Sequence, residues 1–170
     1  YYRLKYDLRL ADVKSIQAQL PAATSMIAYF MGDKKAFIFG IGADELIFSR
    51  IEDPASIAER IEAYRHLMTD PYLENSPTLP SPSHFSGRSA LLFQDLLEPI
   101  QPLLSSRFLI VPDGIIGYLP FETLTKSEAQ NTEAHWADLD WLTQDHALSY
   151  AYSATQWLEM QKRENPSGDL

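Results

Sequence analysis

The sequence predicts an α/β domain: a mixed sheet with helices packed on both faces, led by an N-terminal β-meander. Three observations predict it. Three apolar runs separated by tight-turn sequences lie within residues 24–51. A short, wholly apolar run, Phe108–Val111, follows two helical patterns. The 170 residues are 45% hydrophobic and 12% aromatic, enough to bury one sizeable core.

Residues 1–20 mix charges with Leu4, Leu8, Leu10, Val13, Ile16 and Leu20, a spacing partly helical and partly irregular. They read as a lead-in and a short helix closing at Pro21. Thr24–Met31, Lys35–Ile41 and Glu45–Ile51 read as strands, with Gly32-Asp33-Lys34 and Gly42-Ala43-Asp44 as the turns. Side chains alternate along a strand, so Phe37 and Phe39 share a face.

Asp53-Pro54 marks a helix start. The Asp side chain accepts from orphan N–H groups, and Pro fits the first turn, where its missing N–H is not needed. Ile57, Ile61, Tyr64 and Leu67/Met68 line one face of that helix, which is expected to stop before Pro71. Asn75–Pro82 holds three prolines and reads as a loop. Ser83 is the expected cap of a second helix carrying Phe85, Leu92, Phe93, Leu96, Leu97 and Ile100, with a kink or restart at Pro99.

Phe108–Val111 fits a strand buried on both faces and parallel to its neighbours. Pro112-Asp113-Gly114 turns the chain, and Ile115–Leu124 packs back on the sheet. Lys126–Asp138 is polar and reads as a mobile loop. His146–Ala151 reads as a strand, and Ser153 as the cap of a last helix carrying Trp157 and Met160.

Composition excludes several functions. The net charge is -9 with a pI near 4.8, and the 14 Lys and Arg are scattered, so phosphate backbones and anionic membranes are poor partners. No cysteine is present, which removes disulfides, thiolate metal sites and a thiol nucleophile, and agrees with a reducing, cytoplasmic setting. No apolar run reaches spanning length. The chain begins without Met and closes on a turn sequence, so a segment of a longer protein is expected.

Local motifs resolve into structure. Gly40-Ile41-Gly42-Ala43-Asp44-Glu45 lacks the third glycine and the helix of a dinucleotide site, and reads as a hairpin turn. Gly32-Asp33-Lys34-Lys35 is no phosphate loop, and Ser86-Gly87 is no nucleophile elbow. His66, His84, His135 and His146 have no ligand spacing. Ile110-Val111-Pro112-Asp113-Gly114 followed by Tyr118-Leu119-Pro120-Phe121-Glu122 is the most distinctive stretch. A carboxylate at the end of a parallel strand can face a ligand crevice, but the Asp-Gly turn is the favoured reading.

That stretch resembles the signature of the CHAT family: a strand, a Pro-Asp-Gly turn, then Leu-Pro-Phe-Glu, a small residue and Leu. Here it reads Leu109-Ile110-Val111-Pro112-Asp113-Gly114, then Leu119-Pro120-Phe121-Glu122-Thr123-Leu124. Separases are similar more loosely, with a Pro-Trp-Glu core. Other landmarks follow in family order. Leu20–Thr24 leading to Ala28–Asp33 resembles the opening strand and its turn, Phe37–Ile41 the second strand, and Leu91–Leu104 the Leu-rich helix. Tyr150-Ala151-Tyr152-Ser153-Ala154-Thr155 resembles the family's strand-to-helix step, with Tyr152 replacing the usual proline. The resemblance covers residues 20–160.

The resemblance implies a caspase-like α/β domain split into a pseudo-protease half and a protease half. The family's catalytic His and Cys motifs belong to the latter and find no match here, so no catalytic, cofactor or metal residue is carried over. Pro112, Asp113, Gly114, Leu119, Pro120, Phe121 and Glu122 are implied scaffold positions. Residues 1–20 would then be the lead-in from an upstream tetratricopeptide-repeat region, and 21–170 the N-terminal part of a CHAT domain. The implied partners are the C-terminal protease half, the upstream repeats, and a protein substrate or regulator, with no nucleic acid or membrane. Two rivals stand beside this: an interaction scaffold within an inactive parent, and a small-molecule enzyme using Asp113.

Overall fold

A computed structural model of the chain describes residues 10–73, 80–131 and 133–164. Five strands form one mixed sheet in the order β3-β2-β1-β4-β5. The strands are β1 (Thr24–Met31), β2 (Ala36–Ile41), β3 (Leu46–Ile51), β4 (Arg107–Val111) and β5 (Ala147–Tyr150). β1, β2 and β3 form the antiparallel meander, closed by Gly32 N–H donating to Lys35 O at 3.0 Å and Gly42 N–H to Glu45 O at 2.9 Å. β4 runs parallel to both β1 and β5. The apolar run at 108–111 is buried throughout, as a strand covered on both faces must be.

The first face of the sheet carries Ile27, Tyr29, Ala36, Ile38, Phe108 and Ile110. Over it lie α2 (Pro54–Leu73), α3 (Pro82–Leu96) and a 3-10 turn at Glu98–Leu103. Ile57, Ile61 and Tyr64 of α2 and Phe85, Leu92 and Leu96 of α3 complete this main core. The second face carries Met26, Ile41, Leu109 and Val111, covered by Ile16 of α1 (Val13–Gln19) and by Ala154 and Trp157 of α4 (Ala154–Glu164). Gly40 is tight against the first-face cover: a Cβ there would lie 3.2 Å from Ile100 and Leu103 side chains.

Four expectations need correction. α2 does not stop before Pro71 but runs to Leu73, because a proline in a last turn forfeits only one intrahelical hydrogen bond. Ser81, not Ser83, caps α3: its hydroxyl accepts from His84 N–H at 3.3 Å, and Pro82 takes the first helical position. The loop expected at Asn75–Pro82 therefore ends earlier, and residues 75–79 lie outside the described residues, as do residues 1–9 of the lead-in. The polar stretch 126–138 is tied down. Lys126 N–H donates to Asp140 O at 2.8 Å, Ala129 N–H donates to Ser86 Oγ at 2.9 Å, and Thr125 bridges to Trp141. Asp53 and Ser153 cap as expected, accepting from Ser56 N–H at 3.0 Å and Gln156 N–H at 3.1 Å. The helix broken at Pro99 restarts as the 3-10 turn.

Candidate functional site: the signature turn and the β5 edge

The distinctive stretch begins where β4 ends. Pro112 leads out of the strand, and Asp113 reaches back across the sheet, its Oδ2 accepting from Met31 N–H at 2.8 Å. Met31 is the last residue of β1, so the carboxylate seals the joint between two parallel strands. Gly114 follows at φ +52, in the left-handed region that side chains disfavour. A Cβ there would also lie 3.3 Å from Met31 Cβ.

A 3-10 turn, Gly114–Tyr118, carries the chain to Leu119-Pro120-Phe121-Glu122. Leu119 and Phe121 are buried, and the Phe121 ring lies 5.8 Å from Tyr29 in the main core. Pro120 O accepts from Thr123 N–H at 3.0 Å, fixing a second 3-10 turn at Phe121–Thr123. The Tyr64 hydroxyl donates to Thr123 O at 2.7 Å, tying this turn to α2. Arg65 of the same helix stacks over Tyr118 at 5.0 Å.

Glu122 points the other way. It is exposed, and its Oε2 accepts from the Tyr150 hydroxyl at 2.8 Å. Partial burial, then the adjacent carboxylate, push the Tyr150 phenol well above its ordinary pKa. The signature is thereby joined to the last residue of β5. β5 is largely exposed, with only Leu148 partly buried, and its inner N–H groups are spent on β4: Ala147 N–H bonds Ser106 O and Ala151 N–H bonds Ile110 O, both at 2.9 Å. By strand alternation, Leu148 and Tyr150 turn their N–H groups to the outer edge.

Asp113 and Glu122 therefore face different neighbours and do not converge on one pocket. Asp113 is exposed, and its Oδ2 is engaged by the Met31 backbone amide. The histidines do not gather either. His146 Nδ1 lies 2.8 Å from Ser105 O, with its ring stacked on Phe108 at 4.5 Å, while His135 precedes a 3-10 turn. Among the described residues, no group of three or more His, Cys, Asp or Glu could hold a metal ion. No described helix is long and apolar enough to cross a membrane. The Asp113–Met31 and Glu122–Tyr150 contacts were not predicted from the sequence. Their partners lie 82 and 28 residues away, and no local pattern announces them.

The fold and this turn define a class: a mixed-sheet α/β domain with a Pro-Asp-Gly joint between parallel strands. Residues 88–169 match the family model of the CHAT domain. The match opens within α3 and takes in the signature and β5, whereas the meander lies before it. No curated protein matches the chain.

Proposed function

We propose that this chain is the non-catalytic, supporting half of a caspase-like cysteine peptidase of the CHAT family. Its sheet would be continued beyond β5 by a downstream half that bears the His and Cys. The observation that carries this reading is the β5 edge: a four-residue parallel strand beside β4, which is buried from Phe108 to Val111, with outward N–H donors at Leu148 and Tyr150. Parallel strands are normally covered on both faces and flanked by further strands, so a short, largely exposed one suits a sheet that goes on. The lack of any cysteine agrees with a thiol supplied by another segment, where the nucleophile would sit beside an activating imidazole.

In this role Asp113 and Gly114 hold the β1–β4 joint, Leu119, Pro120 and Phe121 anchor the turn in the core, and Glu122 orients β5 through Tyr150. The partners are the downstream half, upstream repeats, and a protein substrate or regulator, in a cytoplasmic setting. The test compares the 170-residue chain with the parent protein that contains it. Labelled protein substrates should be cut by the parent, with loss on thiol alkylation, and left intact by the chain alone. Turnover by the purified chain would sink the proposal. A parent whose downstream sequence lacks the His and Cys would put the scaffold reading in its place.

A further inference from the structure

The sheet ends at β3 on the side away from β5, and among the described residues no further strand pairs with it. The β2–β3 register and the turn bond from Gly42 N–H to Glu45 O at 2.9 Å set which groups of β3 are spent. Hydrogen-bonded pairs recur at every second position, so Ile47, Ser49 and Ile51 bond to β2. Leu46, Phe48 and Arg50 turn their N–H and C=O groups to the outer edge. Natural edge strands are blunted by Lys, Pro or a bulge. β3 carries no Lys or Pro, its one charge is Arg50, and its ladder to β2 is unbroken from Leu46 to Ile51. The side chains at this edge are apolar as well: Leu46 is 48% exposed and Phe48 56%. They share the second face of the sheet with Phe37 and Phe39, whose rings stand 5.2 and 5.3 Å from Phe48. An open main-chain ladder beside an exposed aromatic row is a template for another strand.

The strand is complementary to itself. A two-fold axis normal to the sheet at Ile47 lays β3 antiparallel to the β3 of a second copy. Leu46 then faces the partner's Phe48, Phe48 faces the partner's Leu46, and their outward N–H and C=O groups meet. Ile47 faces its own counterpart on the other side of the sheet. Arg50 of each copy reaches the acidic turn Asp44-Glu45 of the other. Within its own strand Arg50 lies 3.4 Å from Glu52, an exposed pair that holds it weakly. Moving the axis to Phe48 would set Asp44 against the partner's Glu52, two like charges. Charge and apolar pairing therefore select the register centred on Ile47.

We propose that β3 is a homodimerisation edge, through which two copies of the chain join antiparallel about Ile47 into one continuous sheet. The phenylalanine rows of the two copies then run on into each other across the junction. This edge lies opposite β5, so the dimer and the continuation of the sheet at β5 stand or fall separately.

A cysteine-free sequence makes the test clean, because a single introduced thiol can bond only to another copy. Ile47 meets its counterpart at a position between hydrogen-bonded pairs, where opposed side chains lie closest. Under mild oxidation, Ile47→Cys in the 170-residue chain should form covalent dimer at least about tenfold faster than Glu59→Cys, on the exposed side of α2. Sedimentation velocity of the unmodified chain should show a monomer–dimer equilibrium with a Kd on the order of 10–100 µM, as suits a contact smaller than a standard interface. Arg50→Glu should weaken it at least about tenfold, and Asp44→Lys added to Arg50→Glu should restore it to within about threefold. Both variants change exposed side chains and leave the β2 ladder intact, and circular dichroism checks their fold. A single-chain mass up to about 1 mM overturns the proposal. So do cross-linking no faster than the control, a dimer indifferent to Arg50→Glu, and equal loss in the single and double variants.

Discussion

Asp113 shows how much one side chain does in this fold. Its carboxylate accepts the Met31 N–H where β1 and β4 part company. Asp113→Ala leaves that donor to solvent and should cost about 1 kcal/mol, whereas Asp113→Asn keeps an acceptor and should cost less. Urea unfolding midpoints of the two variants check the order. Gly114→Ala meets two obstacles, a φ of +52 and the Met31 Cβ at 3.3 Å, and should lower stability by about 1–2 kcal/mol in the same assay. Buried phenols govern the alkaline side. Desolvation holds the Tyr29 and Tyr64 hydroxyls above the ordinary tyrosine value of 10.0. The folded state therefore keeps protons that the unfolded chain releases. Their contribution is complete below about pH 10 and is lost as pH rises through the raised folded values. Lys126, raised by its bonds to Asp140 and Asp145, acts in the same direction. Tyr29→Phe should flatten the fall in stability above pH 10, while losing the 3.0 Å bond from its hydroxyl to Leu96 O. A fall as steep as that of the parent chain would count against this assignment.

Among the strands, β4 is buried from Phe108 to Val111. Ile110 is fully buried in the main core between β1 and β5, so Ile110→Ala should cost about 2–5 kcal/mol in a thermal or denaturant melt. The elements were legible in the sequence wherever a local rule governs them. Thr24–Met31 follows from its apolar run and the Gly32 turn. α2 follows from Asp53-Pro54 and the Ile57-Ile61-Tyr64 stripe, and β4 from four apolar residues before Pro112. Where local signals compete, the sequence misleads. Ser81 and Ser83 flank Pro82 equally well, and only the geometry of a proline in the first turn selects Ser81. Ala23 adopts φ 54 just ahead of β1, a conformation no alanine advertises. Of the signature, the Asp-Gly turn was legible because turn chemistry is local. The bonds to Met31 and Tyr150 were not, because they depend on which strands become neighbours.

For the whole molecule, the proposed supporting role turns on whether the sheet is continued at β5. At β5 the outward donors belong to Leu148 and Tyr150, so a substitution there can block an added strand and leave the β4 bonds intact. In the parent protein, Leu148→Pro should abolish thiol-dependent turnover, with the far-ultraviolet circular dichroism retained. Unchanged turnover in that variant would move the junction away from β5.

The central strand has a consequence for synthesis. β1 pairs with β2 almost as soon as both are made, yet its other neighbour, β4, starts 83 residues later along the chain. At ordinary translation speeds that gap lasts roughly 4–17 s. During it a half-built hairpin sheet leaves the ribosome with the β1 flank unpaired. A nascent chain of this order should be held by a holding chaperone until Val111 has emerged, and released once the parallel partner arrives.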